Sequence, residues 1–459
     1  MYQVNRRDFI KIMGLGATSA VLPGCSTTPV RSVPDISGGR PNIVIVLCDD
    51  LGYGDLDCYG HPHIKTPNLD KLAAEGIKLT DCYAAAPVCS PARAGMLTGR
   101  TPHRCGIYDW IPANSPMHLK KEEQTIATLL RDNGYATCHA GKWHCNGKFN
   151  SPEQPQPSDH GFEHWFSTQN NAGPSHHNPK NFVRNSVRVG PLKGYSSELI
   201  VTEAIDWLGT KWDHSKPFCL FVWFHAPHEP IATAPEFMKM YEGKKEAIYY
   251  GNVTQMDHAF GRLMKTLDEM ELREKTFVMF TSDNGPETLN RYRSANRSFG
   301  SPGPLRGMKL HMYEGGIRVP GIIRWPGRTR PGSISEEPVN GTDILPSLCE
   351  MAGVEVRKDR PIDGTSFLPI LKGKKLKRKV PLYWRYNRAL SKPFTVAMRK
   401  GDFKILADNE MTKFELYNLR KDIAEQHNLA TSHPQRLEAM KKILARIHSE
   451  IDAEGPDWN

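Results

Sequence analysis

Four apolar runs stand out along the chain before residue 285. They read NIVIVLC (42–48), YATCHA (135–140), FCLFVWF (218–224) and TFVMFTS (276–282). Apolar runs without polar alternation are typical of strands that are buried on both faces of a parallel sheet. Segments with helical spacing lie between them, at 67–76, 124–134 and 246–270. The alternation predicts an α/β fold in which helices cover both faces of a large, mixed, mostly parallel sheet.

The pattern changes near residue 380. Apolar and polar residues alternate in four short segments, at 381–387, 394–401, 402–408 and 414–419. These segments predict antiparallel strands, and the amphipathic stretch 434–451 predicts a helix. We therefore expect a main domain over 41–375 and a smaller antiparallel sheet-and-helix subdomain over 376–459. Three of its aromatic or basic residues either reach the substrate or pack within the protein, and packing is the expected role: Trp384, Arg385 and Arg388.

Polar residues follow each of the four apolar runs. In chain order they are Asp49 and Asp50, Lys142 and His144, His225 and His228, and Asp283 and Asn284. Ligands bind beyond the carboxyl ends of parallel strands, so we expect one polar site there, with His225 in a structural role. Carboxylate and amide oxygens favour calcium or magnesium over zinc. The imidazoles and ammonium groups, with Lys309 further along, are suited to an oxyanion such as sulfate or phosphate.

One cysteine stands at a predicted helix start. Cys89 precedes Pro91 in APVCSPARAGMLTGR (86–100), and proline favours the first turn of a helix. The helix dipole favours negative charge at that end, so a thiolate nucleophile with a low pKa is one interpretation. A soft thiolate fits poorly beside a hard cation. An oxygen nucleophile is the alternative.

Composition and charge exclude several classes of protein. Hydrophobic residues make up 39% and charged residues 24%, as in folded proteins rather than disordered ones. No apolar run approaches the roughly 20 residues of a membrane span. The ten cysteines show no metal-binding or disulfide spacing. The first 25 residues carry +2 of the formal charge of +10, and the remaining +8 favours polyanions such as glycans.

The N-terminus predicts export. Arg6 and Arg7 precede a short stretch of apolar and small residues in NRRDFIKIMGLGATSAVLPGC, which is typical of a twin-arginine signal over 1–25. LPGC resembles a lipoprotein box with Cys25 as the lipidated residue, and 26–40 is the expected tether. The expected partner is the twin-arginine export machinery, and the expected location is the periplasm or, through a lipid anchor, the bacterial cell envelope. Nucleic acid is a poor fit as the partner of an exported protein.

Longer motifs give the chain a family resemblance. Cys89-Ser90-Pro91-Ala92-Arg93 resembles the C-x-P-x-R signature of the type I sulfatases, in which the cysteine is oxidised after translation to formylglycine. Similar segments run in order from DDLGYGDLDCYG through GKWH, TSDNG and LRGMKLHMYEGGIRVP to FELYNLRKDIAEQHNLA. They cover nearly all of the chain that follows the signal. The chain is most similar to the arylsulfatase A and N-acetylgalactosamine-6-sulfatase branch.

The resemblance implies an alkaline-phosphatase-like fold, a sulfated carbohydrate substrate, a formylglycine-generating enzyme as partner, and one calcium ion in preference to magnesium. Its implied metal ligands are Asp49, Asp50, Asp283, Asn284 and the modified Cys89. The hydrate of formylglycine would supply the attacking oxygen, held by Arg93. Lys142 and Lys309 would bind sulfate oxygens. His228 would act as general acid, and His144 would deprotonate the second hydroxyl of the hydrate.

Other interpretations stay open beside this one. A hydrolase of phosphate or phosphonate esters in the same superfamily would share the sheet and the strand-end site. A catalytically inactive glycan-binding lipoprotein would share the fold but not the catalytic activity. Sulfated galactose or N-acetylgalactosamine glycans are the substrates that the resemblance favours. The loop 170–177 is either a plain surface loop or a sugar-contacting loop.

Overall fold

The apolar runs form the centre of a ten-stranded sheet in a computed structural model that describes residues 39–288 and 297–458. The strands are β1 (Asn42–Asp49), β2 (Ile77–Leu79), β3 (Cys82–Tyr83), β4 (Ala136–Lys142), β5 (His164–Thr168), β6 (Phe182–Arg184), β7 (Val187–Val189), β8 (Phe218–Pro227), β9 (Thr276–Ser282), β10 (Gly321–Arg324), β11 (Ser333–Ser335), β12 (Val339–Asn340), β13 (Leu382–Arg385), β14 (Val396–Lys400), β15 (Phe403–Ala407) and β16 (Phe414–Asn418). The helices are α1 (Pro67–Glu75), α2 (Cys89–Thr98), α3 (Ile126–Asp132), α4 (Ser196–Thr210), α5 (Pro235–Lys239), α6 (Ala247–Glu269), α7 (Glu314–Ile317), α8 (Ile344–Ala352), α9 (Leu368–Leu371) and α10 (Pro434–Asp452).

The sheet has the strand order β11-β2-β10-β9-β1-β8-β4-β5-β6-β7. The central strands β9, β1, β8, β4 and β5 are parallel, whereas β10, β6 and β7 pair antiparallel with their neighbours. Side chains of β1 alternate between two hydrophobic clusters, with Ile43 and Ile45 in one and Val44 and Val46 in the other. Both faces of the sheet are therefore covered, and the predicted α/β fold class is confirmed.

Strand register explains why distant polar residues meet. Asp49 at the end of β1 pairs with Pro227 at the end of β8, and Cys48 pairs with Ser282 at the end of β9. On the other side of β8, Gly141 of β4 pairs with Trp223. Four neighbouring parallel strands thus end at one edge of the sheet.

The four-stranded antiparallel sheet has the order β13-β14-β15-β16 and packs against α10 through apolar side chains such as Ile405 and Leu444. It matches the predicted C-terminal strands and helix in architecture. The boundary at 375/376 remains a prediction. The predicted signal, its Cys25 and all but the last two residues of the predicted tether lie outside the described residues. Within 39–288 and 297–458, no helix combines the length and hydropathy needed to cross a membrane.

A buried ionic cluster connects the C-terminal sheet to α7. Lys404 on β15 lies 2.9 Å from a carboxylate oxygen of Glu314 and 2.9 Å from one of Glu425, and all three side chains are fully buried. Glu314 also accepts hydrogen bonds from Tyr83 (2.6 Å) and Arg318 (3.2 Å). Burial opposes ionisation, but Lys404 and Arg318 hold the pKa of Glu314 well below its usual range.

Removing the cation from this cluster should destabilise the fold. We expect Lys404→Met to lower the free energy of unfolding by about 3–5 kcal/mol at pH 7.5, because two buried carboxylates lose their shared partner. The loss should shrink toward pH 5, since the carboxyl groups of the variant would protonate there. Urea denaturation followed by tryptophan fluorescence measures both values. Lys413→Met, on an exposed lysine nearby, should change the free energy by less than about 0.5 kcal/mol. Equal, small effects of the two substitutions would contradict the expectation.

Candidate active site

A cavity of about 580 Å³ opens at the carboxyl ends of the four parallel strands. Its lining includes the predicted site residues Cys89, His144, His228 and Lys309. The remaining predicted residues, Asp49, Asp50, Arg93, Lys142, Asp283 and Asn284, are buried and reach this group through the contacts described below. The structure therefore brings all ten predicted site residues together.

The acidic centre forms where β1 and β9 end. The backbone N–H of Asp50 donates to Oδ1 of Asp283 (3.2 Å), and Nδ2 of Asn284 donates to Oδ1 of Asp50 (2.7 Å). Asp50 has a φ of 64°, in the left-handed region, so the chain turns sharply as it leaves β1. Burial, followed by the charge of Asp49, raises the pKa of Asp283 to about 7. Carboxylates this close together repel one another, so the site is stable only with positive charge nearby.

Three cationic side chains supply part of that charge. Nζ of Lys142 lies 2.5 Å from Asp49, and Nζ of Lys309 lies 2.7 Å from Asp50. The guanidinium of Arg93 lies 2.7 Å from Asp283. Lys309 also lies 3.3 Å from Glu287, which the predicted site did not include although it follows the TSDNG motif by two residues.

Backbone geometry places two of these cations. Gly141, with a φ of 119°, precedes Lys142, and a Cβ atom there would lie 1.8 Å from the carbonyl oxygen of Trp223. Only glycine permits this approach of β4 to β8. The carbonyl of Lys142 then accepts a hydrogen bond from Arg93 (2.8 Å), whose guanidinium lies 5.0 Å from the ring centroid of Trp223.

The oxygen atoms of the acidic centre fit a hard divalent cation. Oδ1 of Asp49 and Oδ1 of Asn284 are buried without a hydrogen-bond partner within the described residues. Ligand atoms of Asp49, Asp50 and His228 lie within 4.8 Å of one another. Buried oxygen atoms without partners are costly, and a cation would satisfy them. Carboxylate and amide oxygens match calcium or magnesium rather than a softer metal.

Cys89 is the first residue of α2 and its side chain is almost completely buried. Burial raises the pKa of its thiol to about 11, although Lys142 and Lys309 oppose the shift. The interpretation of Cys89 as an ordinary low-pKa thiolate is therefore wrong, because desolvation outweighs the charges of both lysines. The unmodified side chain is a neutral thiol at pH 7 and a poor nucleophile.

The position of a proton on His144 follows from its surroundings. Nε2 lies 3.1 Å from the carbonyl oxygen of Ile111, which can only accept a hydrogen bond, so Nε2 carries the proton. Nδ1 is buried and has no hydrogen-bond partner among residues 39–288 and 297–458. Burial holds the pKa of His144 well below 6.5, so the ring is neutral. His144 therefore has a free lone pair on Nδ1 and can accept a proton.

The two histidines after the third apolar run have different surroundings. Nδ1 of His228 lies 2.5 Å from the carbonyl oxygen of Glu229, and Nε2 lies 3.4 Å from Asp50. Because Nδ1 must donate to the carbonyl, a proton on Nε2 is available only in the doubly protonated ring. His225 is within β8, fully buried, and its Nε2 lies 2.7 Å from Oγ1 of Thr168. Its placement agrees with the expected structural role.

Several cavity residues were not predicted as site residues. They are Val88, Trp110, Asn170, Asn171, Glu229, Pro230, Leu310, Tyr386, Arg388 and Leu390. Asn170 and Asn171 begin the loop 170–177, so that loop reaches the cavity. Trp384 and Arg385 pack as expected, the first donating to the carbonyl of Ala84 (2.8 Å) and the second pairing with Asp452 (2.6 Å). The expectation for Arg388 was wrong, because the segment that follows β13 turns toward the cavity.

Comparison with known proteins identifies the family. The sequence profile described as Sulfatase matches residues 41–354, and one described as N-sulphoglucosamine sulphohydrolase, C-terminal, matches residues 308–453. The chain is 34% identical to arylsulfatase A of Homo sapiens over 462 residues, which cover 90% of this chain and 88% of the relative. It is also 34% identical to N-acetylgalactosamine-6-sulfatase of Canis lupus familiaris over 387 residues, covering 79% and 72%.

A solved structure extends the comparison to the fold. The crystal structure of Ps i-CgsB in complex with k-i-k-neocarrahexaose has a TM-score of 0.80 and 27% sequence identity, and the match covers 91% of this chain and 94% of that one. The predicted alkaline-phosphatase-like fold and the predicted similarity to the arylsulfatase A and N-acetylgalactosamine-6-sulfatase branch are confirmed. The chain belongs to the sulfatase family and is a sulfuric ester hydrolase.

Proposed function

We propose that this protein hydrolyses sulfate esters of carbohydrates by means of a formylglycine made from Cys89 and a bound calcium ion. The observation that carries the proposal is the pairing of Cys89 with His144 in one cavity. The thiol is neutral and a poor nucleophile, whereas the imidazole of His144, which lines the same cavity, has a free lone pair on Nδ1. A base in the same cavity can act on residue 89 once the thiol has become a hydrated aldehyde, because the hydrate carries hydroxyl groups that can lose a proton.

The role of each side chain follows from its charge and its protonation state. Asp49, Asp50, Asp283, Asn284 and the modified Cys89 would hold the calcium ion, which supplies positive charge for a sulfate oxygen. Lys142 and Lys309 orient the sulfate group through their ammonium protons, and Arg93 holds the modified side chain. In its doubly protonated form, His228 gives the Nε2 proton to the leaving oxygen, and His144 takes a proton from the second hydroxyl at Nδ1. Two hydroxyls on one carbon allow attack and then release without water attacking sulfur.

The charge of the site supports an anionic ester as the substrate. Three cations, Arg93, Lys142 and Lys309, lie at the acidic centre, where they pair with Asp283, Asp49 and Asp50. A divalent ion held by these carboxylates would add positive charge at the buried end of the cavity. That field favours a sulfate monoester, which carries one negative charge.

Sulfated galactose and N-acetylgalactosamine glycans are the proposed substrates. The support comes from relatives named N-acetylgalactosamine-6-sulfatase and from the net charge of +8 that remains without the first 25 residues. Export by the twin-arginine machinery, with a lipid anchor at Cys25, would place the enzyme in the periplasm or at the cell envelope, where glycan fragments arrive. A formylglycine-generating enzyme is the partner required for Cys89. Action on chain ends fits a cavity of limited volume better than an open cleft would.

A panel of defined esters tests this function. We expect the protein, made in a host with a maturation enzyme, to release sulfate from galactose and N-acetylgalactosamine sulfates, and only slowly from simple aryl sulfates. The matched phosphate and phosphonate esters should be turned over at least about 10²-fold more slowly, because a phosphate monoester carries an extra negative charge and a phosphonate ester has a different shape. Cys89→Ala serves as the inactive control. Faster release of phosphate would overturn the proposal, and preference for glucosamine or uronic acid sulfates would overturn the sugar assignment alone.

A further inference from the structure

The cavity has a buried end and an exposed end. Cys89 and Lys309 are each 3% exposed, whereas Trp110 is 42% and Leu390 is 47% exposed. The side chain of Arg388 is 75% exposed. We call Trp110, Arg388 and Leu390 the cavity mouth. Of the six large hydrophobic side chains that are exposed on the described part of the chain, two belong to it. Exposed apolar groups beside a catalytic cavity indicate a binding surface rather than a chance surface position.

The cavity mouth is held together by one carboxylate. Asp109 accepts hydrogen bonds from the phenol of Tyr386 (2.8 Å) and the backbone N–H of Trp110 (2.8 Å), and it pairs with Arg388 (2.8 Å). Tyr386 is buried and its ring fixes the segment that follows β13. Residues more than 270 positions apart in sequence are thus fixed relative to each other before any ligand binds. A surface arranged in advance loses less conformational entropy on binding.

The chemistry of the cavity mouth suits an anionic sugar. The ring of Trp110 and the side chain of Leu390 offer apolar surface to the C–H groups of a sugar ring, as aromatic residues do in ligand sites. Arg388 donates one N–H to Asp109, and a guanidinium has five. Its planar, exposed fork matches the two oxygens of a carboxylate or of a sulfate group. The buried end of the cavity already supplies the groups for the reacting sulfate.

We propose that the cavity mouth is a subsite for the sugar next to the one that carries the reacting sulfate, and that Arg388 binds a second oxyanion on that neighbouring sugar. The preferred substrates are then oligosaccharides with at least two anionic groups, rather than singly sulfated monosaccharides. The second oxyanion is a sulfate or a carboxylate, which share the geometry that Arg388 recognises. The inference rests on the proposed function, because it assigns the buried end of the cavity to the reacting ester.

Steady-state kinetics on four substrates tests the subsite. The substrates are a sulfated monosaccharide and three disaccharides that carry the same sulfated sugar beside a neutral, a sulfated or a carboxylated one. We expect Arg388→Gln to raise KM for the two doubly anionic disaccharides about tenfold more than KM for the monosaccharide, with little change in kcat. Trp110→Ala should raise KM for all three disaccharides more than for the monosaccharide. Arg388→Lys should recover part of the affinity, since it keeps the charge but not the fork.

The control is Arg420→Gln, which changes an exposed arginine that pairs with Glu336 and Asp402 and does not line the cavity. It should leave every KM unchanged. An Arg388→Gln variant that raised all four KM values equally, or lowered only kcat, would overturn the subsite and leave Arg388 as a support for Asp109. A larger KM effect on the sulfated disaccharide identifies sulfate as the second oxyanion, and a larger effect on the carboxylated one identifies a carboxylate. Both support the proposal.

A binding measurement separates failure of the subsite from failure of the proposed function. If the unmutated protein hydrolyses none of the four substrates, the proposed function fails. Calorimetric titration of the Cys89→Ala protein with the sulfated and the carboxylated disaccharide still decides the inference. Tighter binding than of the neutral disaccharide, lost on adding Arg388→Gln, supports the subsite. Equal affinity for the charged and neutral disaccharides would overturn it.

Discussion

Cys89→Ala should fold normally and lose turnover of every sulfate ester by about 10⁴-fold or more, because alanine lacks the thiol that is oxidised to the aldehyde, so no hydrate with two hydroxyls can form. The buried site loses one sulfur atom, so the melting temperature should fall by no more than a few degrees, corresponding to about 1 kcal/mol. Sulfate release and thermal unfolding measure the two effects. Cys105→Ala, on another buried cysteine, is the matched control for packing and should keep its activity.

A serine at the same position distinguishes the proposed chemistry from a simple hydroxyl nucleophile. Cys89→Ser keeps one oxygen but lacks the second hydroxyl from which His144 takes a proton. We expect it to release at most about one equivalent of alcohol per protein and no sulfate. Continued turnover by Cys89→Ser would contradict the role of the second hydroxyl.

Mass spectrometry tests the modification itself. The tryptic peptide Leu79 to Arg93 of active protein should be lighter than its encoded sequence by roughly the mass of a water molecule, since the thiol has become an aldehyde. A fully active preparation with only the unmodified peptide would refute the formylglycine proposal.

Asp283→Ala should also have a large effect, on both activity and stability. Its carboxylate is a proposed calcium ligand and pairs with Arg93, so we expect activity to fall at least about 10²-fold. The unmutated protein should gain stability from calcium, by about 2.7 kcal/mol when the ion is present at 100 times its Kd, and the variant should gain much less. Melting curves with calcium and with a chelator measure this difference.

The control for the metal site is Asp213→Ala, which removes an exposed carboxylate that pairs with Lys216. This variant should retain both the activity and the calcium-dependent rise in melting temperature. Calcium should restore activity to chelated, unmutated protein. Better recovery with zinc would show that the argument from hard oxygen ligands is wrong.

Much of the fold and most of the site followed from local sequence patterns. Apolar runs predicted β1, β4, β8 and β9 because a strand buried on both faces has to be apolar along its length. Parallel strands place their carboxyl ends at one edge, so the polar residues after each run were expected to converge. Pro91 marked the first turn of α2, which begins at Cys89. Each of these inferences depends on neighbours in sequence and on the period of a strand or helix.

The ionisation states and the cavity mouth depended on tertiary structure. Cys89 is a neutral thiol because the fold buries it, which no feature of the C-x-P-x-R motif shows. The free lone pair of His144 follows from the carbonyl of Ile111, which lies 33 residues earlier in the chain. Arg388 belongs to a segment whose sequence is typical of packing, and only its pairing with Asp109 brings it to the cavity. Solvation and electrostatic energies depend on distances in space, so they were decided when the chain folded and not by the order of its residues.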